Sequence, residues 1–242
     1  ASKVLGRYLY VASGENGLFV YSLDDHAPDR PAANMTSVGI IYDIKGIGSF
    51  LYLRCRDEVV VLDVSQPENP VQVCRISAEG LLQGIELIED KLYLMEARQI
   101  SQYSVATPGS PVLLAKRSYF NFPYRPYQLA GKLYVPAGHS GLGVLDIDKE
   151  FLPESAGFIS LGGDTRAVRD VKGLLYAAVS KVGIKVLDPA AIFPRDAVER
   201  IDTSGIVADF MVVEDHIYIT ANRSFLYHKS LGDMPGELTL TD

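Results

Sequence analysis

The sequence predicts an all-β chain assembled from one repeated element, and three observations carry that reading. A tyrosine flanked by apolar or small residues recurs at a constant interval, turn-forming residues cut the chain into short β-rich runs, and no segment sustains a helical period. The recurrence is the strongest of the three. It appears as Leu9-Tyr10-Val11, Leu51-Tyr52-Leu53, Leu92-Tyr93-Leu94, Leu133-Tyr134-Val135, Leu175-Tyr176-Ala177 and Ile217-Tyr218-Ile219, and successive tyrosine numbers differ by 42, 41, 41, 42 and 42.

Each repeat has the same internal order. An alternating segment such as Tyr42-Asp43-Ile44-Lys45-Gly46-Ile47 leads through a short turn into the Leu-Tyr strand. A second turn leads to a β-rich run, as in Glu58-Val59-Val60-Val61-Leu62-Asp63-Val64, and a Pro-bounded loop leads to a last strand, Val71-Gln72-Val73-Cys74-Arg75-Ile76. Four short strands separated by Gly, Asn, Asp and Pro make an antiparallel meander. The single helical candidate is a turn at Pro189-Ala190-Ala191-Ile192-Phe193.

A lone four-stranded sheet with two apolar faces cannot hide both from water, whereas stacking such sheets face to face in a ring covers them all. A four-stranded repeat of about 42 residues therefore predicts a six-bladed β-propeller of four-stranded antiparallel blades. The expected organisation is a single domain over residues 1–242 with blades at 1–40, 41–81, 82–122, 123–164, 165–206 and 207–242. Ala1 to Leu5 align with Asp43 to Ile47 as the first inner strand, and Glu237-Leu238-Thr239-Leu240 reads as the last outer one.

Composition narrows the function. With 23 basic and 30 acidic side chains the net charge is −7, and no Lys/Arg block supplies the footprint a nucleic acid or an anionic membrane would need. Hydrophobic residues make up 48% in short interrupted runs, so no transmembrane segment is expected. The two cysteines, Cys55 and Cys74, fall on the second and fourth strands of one blade. Two inter-strand spacings of about 4.8 Å make a bridge between them unfavourable. The N-terminus, Ala1-Ser2-Lys3, reads as a processed or trimmed end.

Residues 58–70, Glu-Val-Val-Val-Leu-Asp-Val-Ser-Gln-Pro-Glu-Asn-Pro, closely resemble the LVIVD repeat: an apolar run, then Asp-Val-Ser, then two prolines three apart. Gly141-Leu142-Gly143-Val144-Leu145-Asp146-Ile147 is similar to its first half, and Val182 to Pro189 is similar with a changed exit. Thr107-Pro108-Gly109-Ser110-Pro111 keeps only the prolines, and Ser22 and Lys229 stand about where Asp63 does in the first and sixth copies. The resemblance implies a β-propeller, commonly bacterial and exported, periplasmic or at the cell surface. It implies no reaction.

Asp63, Asp146 and Asp188 each end a third strand before a turn, where an Asp side chain accepts backbone N–H bonds, so they read as structural. The six periodic tyrosines read as wedges between blades, each a large apolar body with a polar tip. Propeller ligands sit at one mouth of the central channel, which makes the starts of the inner strands informative. These are Tyr42 and Asp43, Gln83 and Gly84, Tyr124 and Arg125, Arg166 and Ala167, and Ala208 and Asp209. Lys45, Glu86, Tyr127, Arg169 and Met211 lie further along the same strands.

The ligand-binding candidates are therefore Tyr42, Asp43, Glu86, Tyr124, Arg125, Tyr127, Arg166, Arg169 and Asp209. Arginine forks suit carboxylate or phosphate, Asp43 with Asp209 suits a divalent cation held through oxygen, and internal pairing of Lys45, Asp170 and these charges is the alternative. Tyr119-Phe120-Asn121-Phe122-Pro123-Tyr124-Arg125-Pro126-Tyr127 packs five aromatics into nine residues. It reads either as an exposed recognition rim or as filling between two blades.

Nucleophilic catalysis has little support: His26, His139, His216 and His228 are scattered, and no Gly-x-Ser-x-Gly elbow or His-Glu-x-x-His helix is present. His139 stands out only because its turn should lie near the ligand face. The favoured reading is a monomeric, non-enzymatic binding or scaffolding propeller for a protein or cell-surface component, with no required cofactor. The alternative is a propeller-type lyase or hydrolase with a metal or Arg-lined site in the channel.

Overall fold

The computed structural model describes residues 1–24, 30–119, 123–147, 151–190, 199–203, 205–221, 225–231 and 239–240, with backbone alone for 199–200, 225–229 and 239–240. Among the described residues there is no α-helix, and the strands form six four-stranded sheets. The chain divides into two compact units, Ala1–Arg117 and Ser118–Asp242.

In the first unit, one sheet holds β1 (Ser2–Leu5), β2 (Tyr8–Ala12), β3 (Leu18–Ser22) and β4 (Ala33–Met35). The next holds β5 (Asp43–Ile47), β6 (Phe50–Arg54), β7 (Glu58–Asp63) and β8 (Val71–Ser77), and the third holds β9 (Leu82–Ile88), β10 (Lys91–Glu96), β11 (Ile100–Ser104) and β12 (Val112–Arg117). In the second unit the sheets are β13 (Tyr127–Leu129), β14 (Lys132–Pro136), β15 (Leu142–Asp146) and β16 (Gly157–Ile159); β17 (Thr165–Val171), β18 (Leu174–Val179), β19 (Gly183–Leu187) and β20 (Glu199–Ile201); and β21 (Val207–Val213), β22 (His216–Ala221), β23 (Phe225–Ser230) and β24 (Thr239–Leu240). Every sheet runs in chain order with antiparallel neighbours, the meander the turn residues predict.

Within each unit the core lies between successive sheets. Tyr10, Leu18 and Val20 pack with Leu51, Leu53 and Val60, and Tyr52, Val59 and Val61 pack with Ile85, Leu92 and Leu94. In the second unit Tyr134 and Leu142 pack with Val168 and Leu175, and Tyr176 and Ile184 pack with Phe210 and Ile217. Two-sided burial explains the near-continuous apolar second and third strands. The periodic tyrosines behave as wedges: five are buried and Tyr218 is half-buried.

Backbone conformation sets where the third strands begin. At Gly183, with φ +112°, a side chain would run into the Ile201 carbonyl oxygen, and Gly141 meets Ile159 in the same way. Only glycine lets the third strand pass so close to the fourth.

The residue that ends each third strand closes a recurrent turn. Pairing two positions before the repeat tyrosine places Ser22 opposite Tyr8, Asp63 opposite Phe50, Ser104 opposite Lys91, Asp146 opposite Lys132 and Ser230 opposite His216. Ser230, not Lys229, therefore stands where Asp63 does.

Ser also makes the turn. Asp63 Oδ1 and Asp188 Oδ1 accept from the backbone N–H two residues on at 2.8 and 2.9 Å, while Ser22 Oγ does so from Asp24 at 3.2 Å. The next residue then donates its N–H back to the first turn of its sheet, as Val64 does to the Ser49 carbonyl at 2.8 Å. Pro189 has no N–H to give, which accounts for the changed exit of the fifth copy. Ala191 to Phe193 of the expected helical turn, and Glu237 and Leu238 of the expected last strand, lie outside the described residues.

Candidate functional site

Three of the inner-strand starts share an irregularity. Register shifts by one residue between Leu82 and Gly84, between Thr165 and Ala167, and between Val207 and Asp209, leaving Gln83, Arg166 and Ala208 on bulges. A bulge inserts one unpaired residue, which bends the strand and interrupts the regular alternation of side chains between its two faces. Tyr42 and Tyr124 take the corresponding positions, each donating its N–H across the sheet, to the Arg54 and Pro136 carbonyls at 2.8 Å.

In the first unit Tyr42 is 46% exposed, and the Arg54 guanidinium lies over its ring, 5.0 Å from the centroid. Arg54 also donates to the Leu82 carbonyl at 2.7 Å, bridging one sheet to the next. Asp43 is buried and accepts from the Ile44 N–H at 2.9 Å. Lys45 and Glu86, one repeat apart, form a two-pronged ion pair at 2.8 and 2.6 Å, their side chains only 15% and 16% exposed.

In the second unit Arg169 Nη2 donates to both carboxylate oxygens of Asp209, at 2.8 and 3.0 Å, while its Nε donates to the Phe210 carbonyl at 2.8 Å. The guanidinium stands 5.7 Å from the Phe210 ring centroid. Asp209 Oδ1 also accepts from the Phe210 N–H, the bond Asp43 makes at the same repeat position. Arg166 forks onto Asp164 through Nε and Nη2, both at 2.8 Å.

The aromatic segment is only partly described, because Phe120, Asn121 and Phe122 lie outside the described residues. Tyr119 donates to the Pro153 carbonyl, Tyr124 and Tyr127 are half-buried, and Arg125 is exposed. Strand β13 starts at Tyr127 rather than at Tyr124 and Arg125, because Pro126 has no N–H to continue the ladder. His139 is exposed and His216 half-buried, its ring 6.5 Å from that of Tyr218; His26 and the His228 side chain lie outside the description.

Both cysteines are free thiols. Cys55 follows the end of β6 rather than lying within it. Burial pushes its thiol up to about 11, and its Sγ donates to the Val38 carbonyl at 3.4 Å. Among the described residues no three His, Cys, Asp or Glu side chains gather in a group that could hold a metal ion, and no helix is long and apolar enough to cross a membrane.

Sequence reasoning missed Asp164 and Arg54. Both were reachable from pairing logic: Asp164 stands two residues before Arg166, and Arg54 pairs directly with Asp43 across the first hairpin. A third omission is Glu96, 1% exposed, which accepts from Ser101 Oγ at 2.7 Å and Gln99 Nε2 at 2.6 Å. These bonds compensate its burial and tie the second turn of its sheet together.

The family model described as LVIVD repeat matches residues 3–21, which cover β2 and all but one residue each of β1 and β3. That is the copy ending in Ser22, which the turn geometry shows to be a working substitute for Asp63. No curated protein matches the sequence. The structure resembles a functionally unknown protein from Desulfotomaculum acetoxidans, with TM-score 0.71 and 11% identity over 98% of this chain and 79% of that one. It also resembles the computationally designed Ika8 protein, with TM-score 0.68 and 11% identity over 95% and 70%. The β-propeller BamB from Moraxella catarrhalis follows, with TM-score 0.64 and 10% identity over 93% and 67%. Likeness at such identity concerns the fold alone.

Proposed function

We propose that this LVIVD-repeat chain is a single six-bladed β-propeller, one blade for each sheet, with blades at 1–40, 41–81, 82–122, 123–164, 165–206 and 207–242. It works as a non-enzymatic binding or scaffolding module for a protein or cell-surface component, outside the cytoplasm of a bacterium. The observation that carries this reading is the pairwise commitment of charged inner-strand side chains: Lys45 to Glu86, Arg169 to Asp209 and Arg166 to Asp164. Acid–base or nucleophilic catalysis needs several such groups converging on one open volume. Lys45–Glu86 and Arg169–Asp209 instead tie each sheet to the next, while Arg166–Asp164 fixes the start of its own strand, and together they keep the presented surface rigid. Tyr42, Tyr124, Arg125 and Tyr127 are the candidate contacts with the partner, and Asp43 and Asp209 act as strand-start caps.

Two measurements on one preparation test this. Cross-linking of the chain in its native envelope fraction, read by mass spectrometry, is expected to return a partner attached through residues near Tyr42 or Tyr124. A panel of ester, phosphoester and glycoside substrates is expected to turn over no faster than with a Glu86→Gln/Asp209→Asn variant. A wild-type rate that collapses in that variant overturns the reading in favour of a channel enzyme.

A further inference from the structure

The turn from β2 to β3 is Ser13-Gly14-Glu15-Asn16-Gly17, and the fourth repeat builds the same turn from Ala137-Gly138-His139-Ser140-Gly141. Three backbone N–H bonds close each one. In the first they run from Ser13 to Gly17, Asn16 to Ser13 and Gly17 to Gly14 at 2.9, 3.0 and 3.2 Å, and in the fourth from Ala137 to Gly141, Ser140 to Ala137 and Gly141 to Gly138 at 2.9, 3.0 and 3.1 Å. Each turn is also bridged to the chain entering the next sheet, Gly14 with Ile41 and Gly138 with Thr165. Serine therefore makes this turn where asparagine does. The Asn16 side chain, exposed and without a hydrogen bond among the described residues, does not hold it.

What Asn16 adds is reactivity. The other asparagines of the sequence precede Met35, Pro70, Phe122 and Arg223, and only Asn16 precedes a glycine. With no side chain in the way, the Gly17 nitrogen can reach the side-chain carbonyl carbon of Asn16, in a residue type that is thermally labile. The Gly17 N–H is held by the 3.2 Å bond to the Gly14 carbonyl, at the long limit of a hydrogen bond. Turns open locally at far lower free energy than the sheets they join. Closing again is more demanding. Gly17 has φ +78°, and a side-chain carbon on it would lie 2.2 Å from the Met35 carbonyl oxygen. It leads directly into Leu18, which is fully buried and pairs with Met35.

We propose that Asn16 is a self-modifying site that makes opening of this turn irreversible. The Gly17 nitrogen forms a bond to the Asn16 side-chain carbonyl carbon, the bond from that carbon to the amide nitrogen breaks, and ammonia leaves with the Gly17 proton. Water then opens the five-membered imide, either to an ordinary aspartyl bond or to an isoaspartyl bond, in which the backbone runs through the side chain and is one atom longer. The longer backbone does not reseat Gly17 against Met35, so the pairing of Leu18 with Met35 loosens.

Ageing the whole chain in mildly alkaline buffer, with and without urea below its unfolding midpoint, tests it. Peptide mapping is expected to show a gain of one mass unit and isoaspartate at Asn16 ahead of every other asparagine, and faster with urea. The aged chain is expected to unfold at a lower urea midpoint than the fresh one, whereas Asn16→Ser, which copies Ser140, keeps its own midpoint on ageing. An aged chain without isoaspartate at Asn16, a rate indifferent to urea, or modification at an unchanged midpoint would overturn the proposal, as would an equal fall in Asn16→Ser.

Discussion

Lys45 Nζ lies 2.6 Å from Glu86 Oε2 and so joins the same position of two successive repeats, each opposite a buried tyrosine, Tyr52 and Tyr93. With both side chains largely out of water, their attraction chiefly offsets the cost of desolvating them, and removing one partner strands the other. Lys45→Met alone is expected to destabilise the chain by about 2 kcal/mol, and Lys45→Met/Glu86→Leu to recover more than half of that. Urea unfolding measures both. Additive losses in the double variant would show that the pair is not coupled.

Thr165 occupies a position that is Ile41, Leu82 and Val207 in other repeats, all buried, and it is itself fully buried. Its Oγ1 has no hydrogen-bond partner among the described residues. An unsatisfied buried hydroxyl costs about 1–3 kcal/mol, and valine has nearly the same shape without it. Thr165→Val should therefore raise stability by about 1 kcal/mol, read as a higher urea midpoint with unchanged slope. A lower midpoint would mean that the hydroxyl has a partner in solution.

Burial pushes the Tyr52 and Tyr93 hydroxyls up to about 12 from an ordinary value of 10.0, with a bond from Gln102 acting against the shift at Tyr93. The folded chain keeps these protons where the unfolded chain has begun to lose them. Stability from this source is complete below pH 10 and is lost as the pH climbs toward about 12. Melting temperatures across that window should fall, and less steeply for Tyr52→Phe, which removes a hydroxyl with no bonded partner among the described residues. Equal slopes in the two proteins would place alkaline sensitivity elsewhere.

Asp209 gives both its oxygens to Arg169. A cation would have to displace that guanidinium, so Ca²⁺, Mg²⁺, Mn²⁺ and Zn²⁺ are expected to leave the melting temperature where EDTA leaves it. A ligand at a hundred times its dissociation constant would add about 2.7 kcal/mol, which is readily seen. A cation-dependent rise that disappears in Asp43→Ala/Asp209→Ala would assign a metal to the inner strands instead.

The sixfold tyrosine period by itself determined the sheets, their meander order and their two-sided burial, because each follows from local alternation and turn chemistry repeated at a fixed interval. It also singled out Lys45, Glu86, Arg169 and Asp209 as polar groups on inner strands. Tertiary structure alone decided which of them meet. Lys45 and Glu86 are 41 residues apart, and Arg169 and Asp209 are 40. Their pairing depends on how one sheet packs against the next, which no local pattern encodes. The bulges at Gln83, Arg166 and Ala208 were hidden for a related reason. Each bulge adds one residue, so the buried positions on either side of it, Leu82 and Ile85, Thr165 and Val168, and Val207 and Phe210, fall three apart, a spacing that a reading by strict alternation does not anticipate.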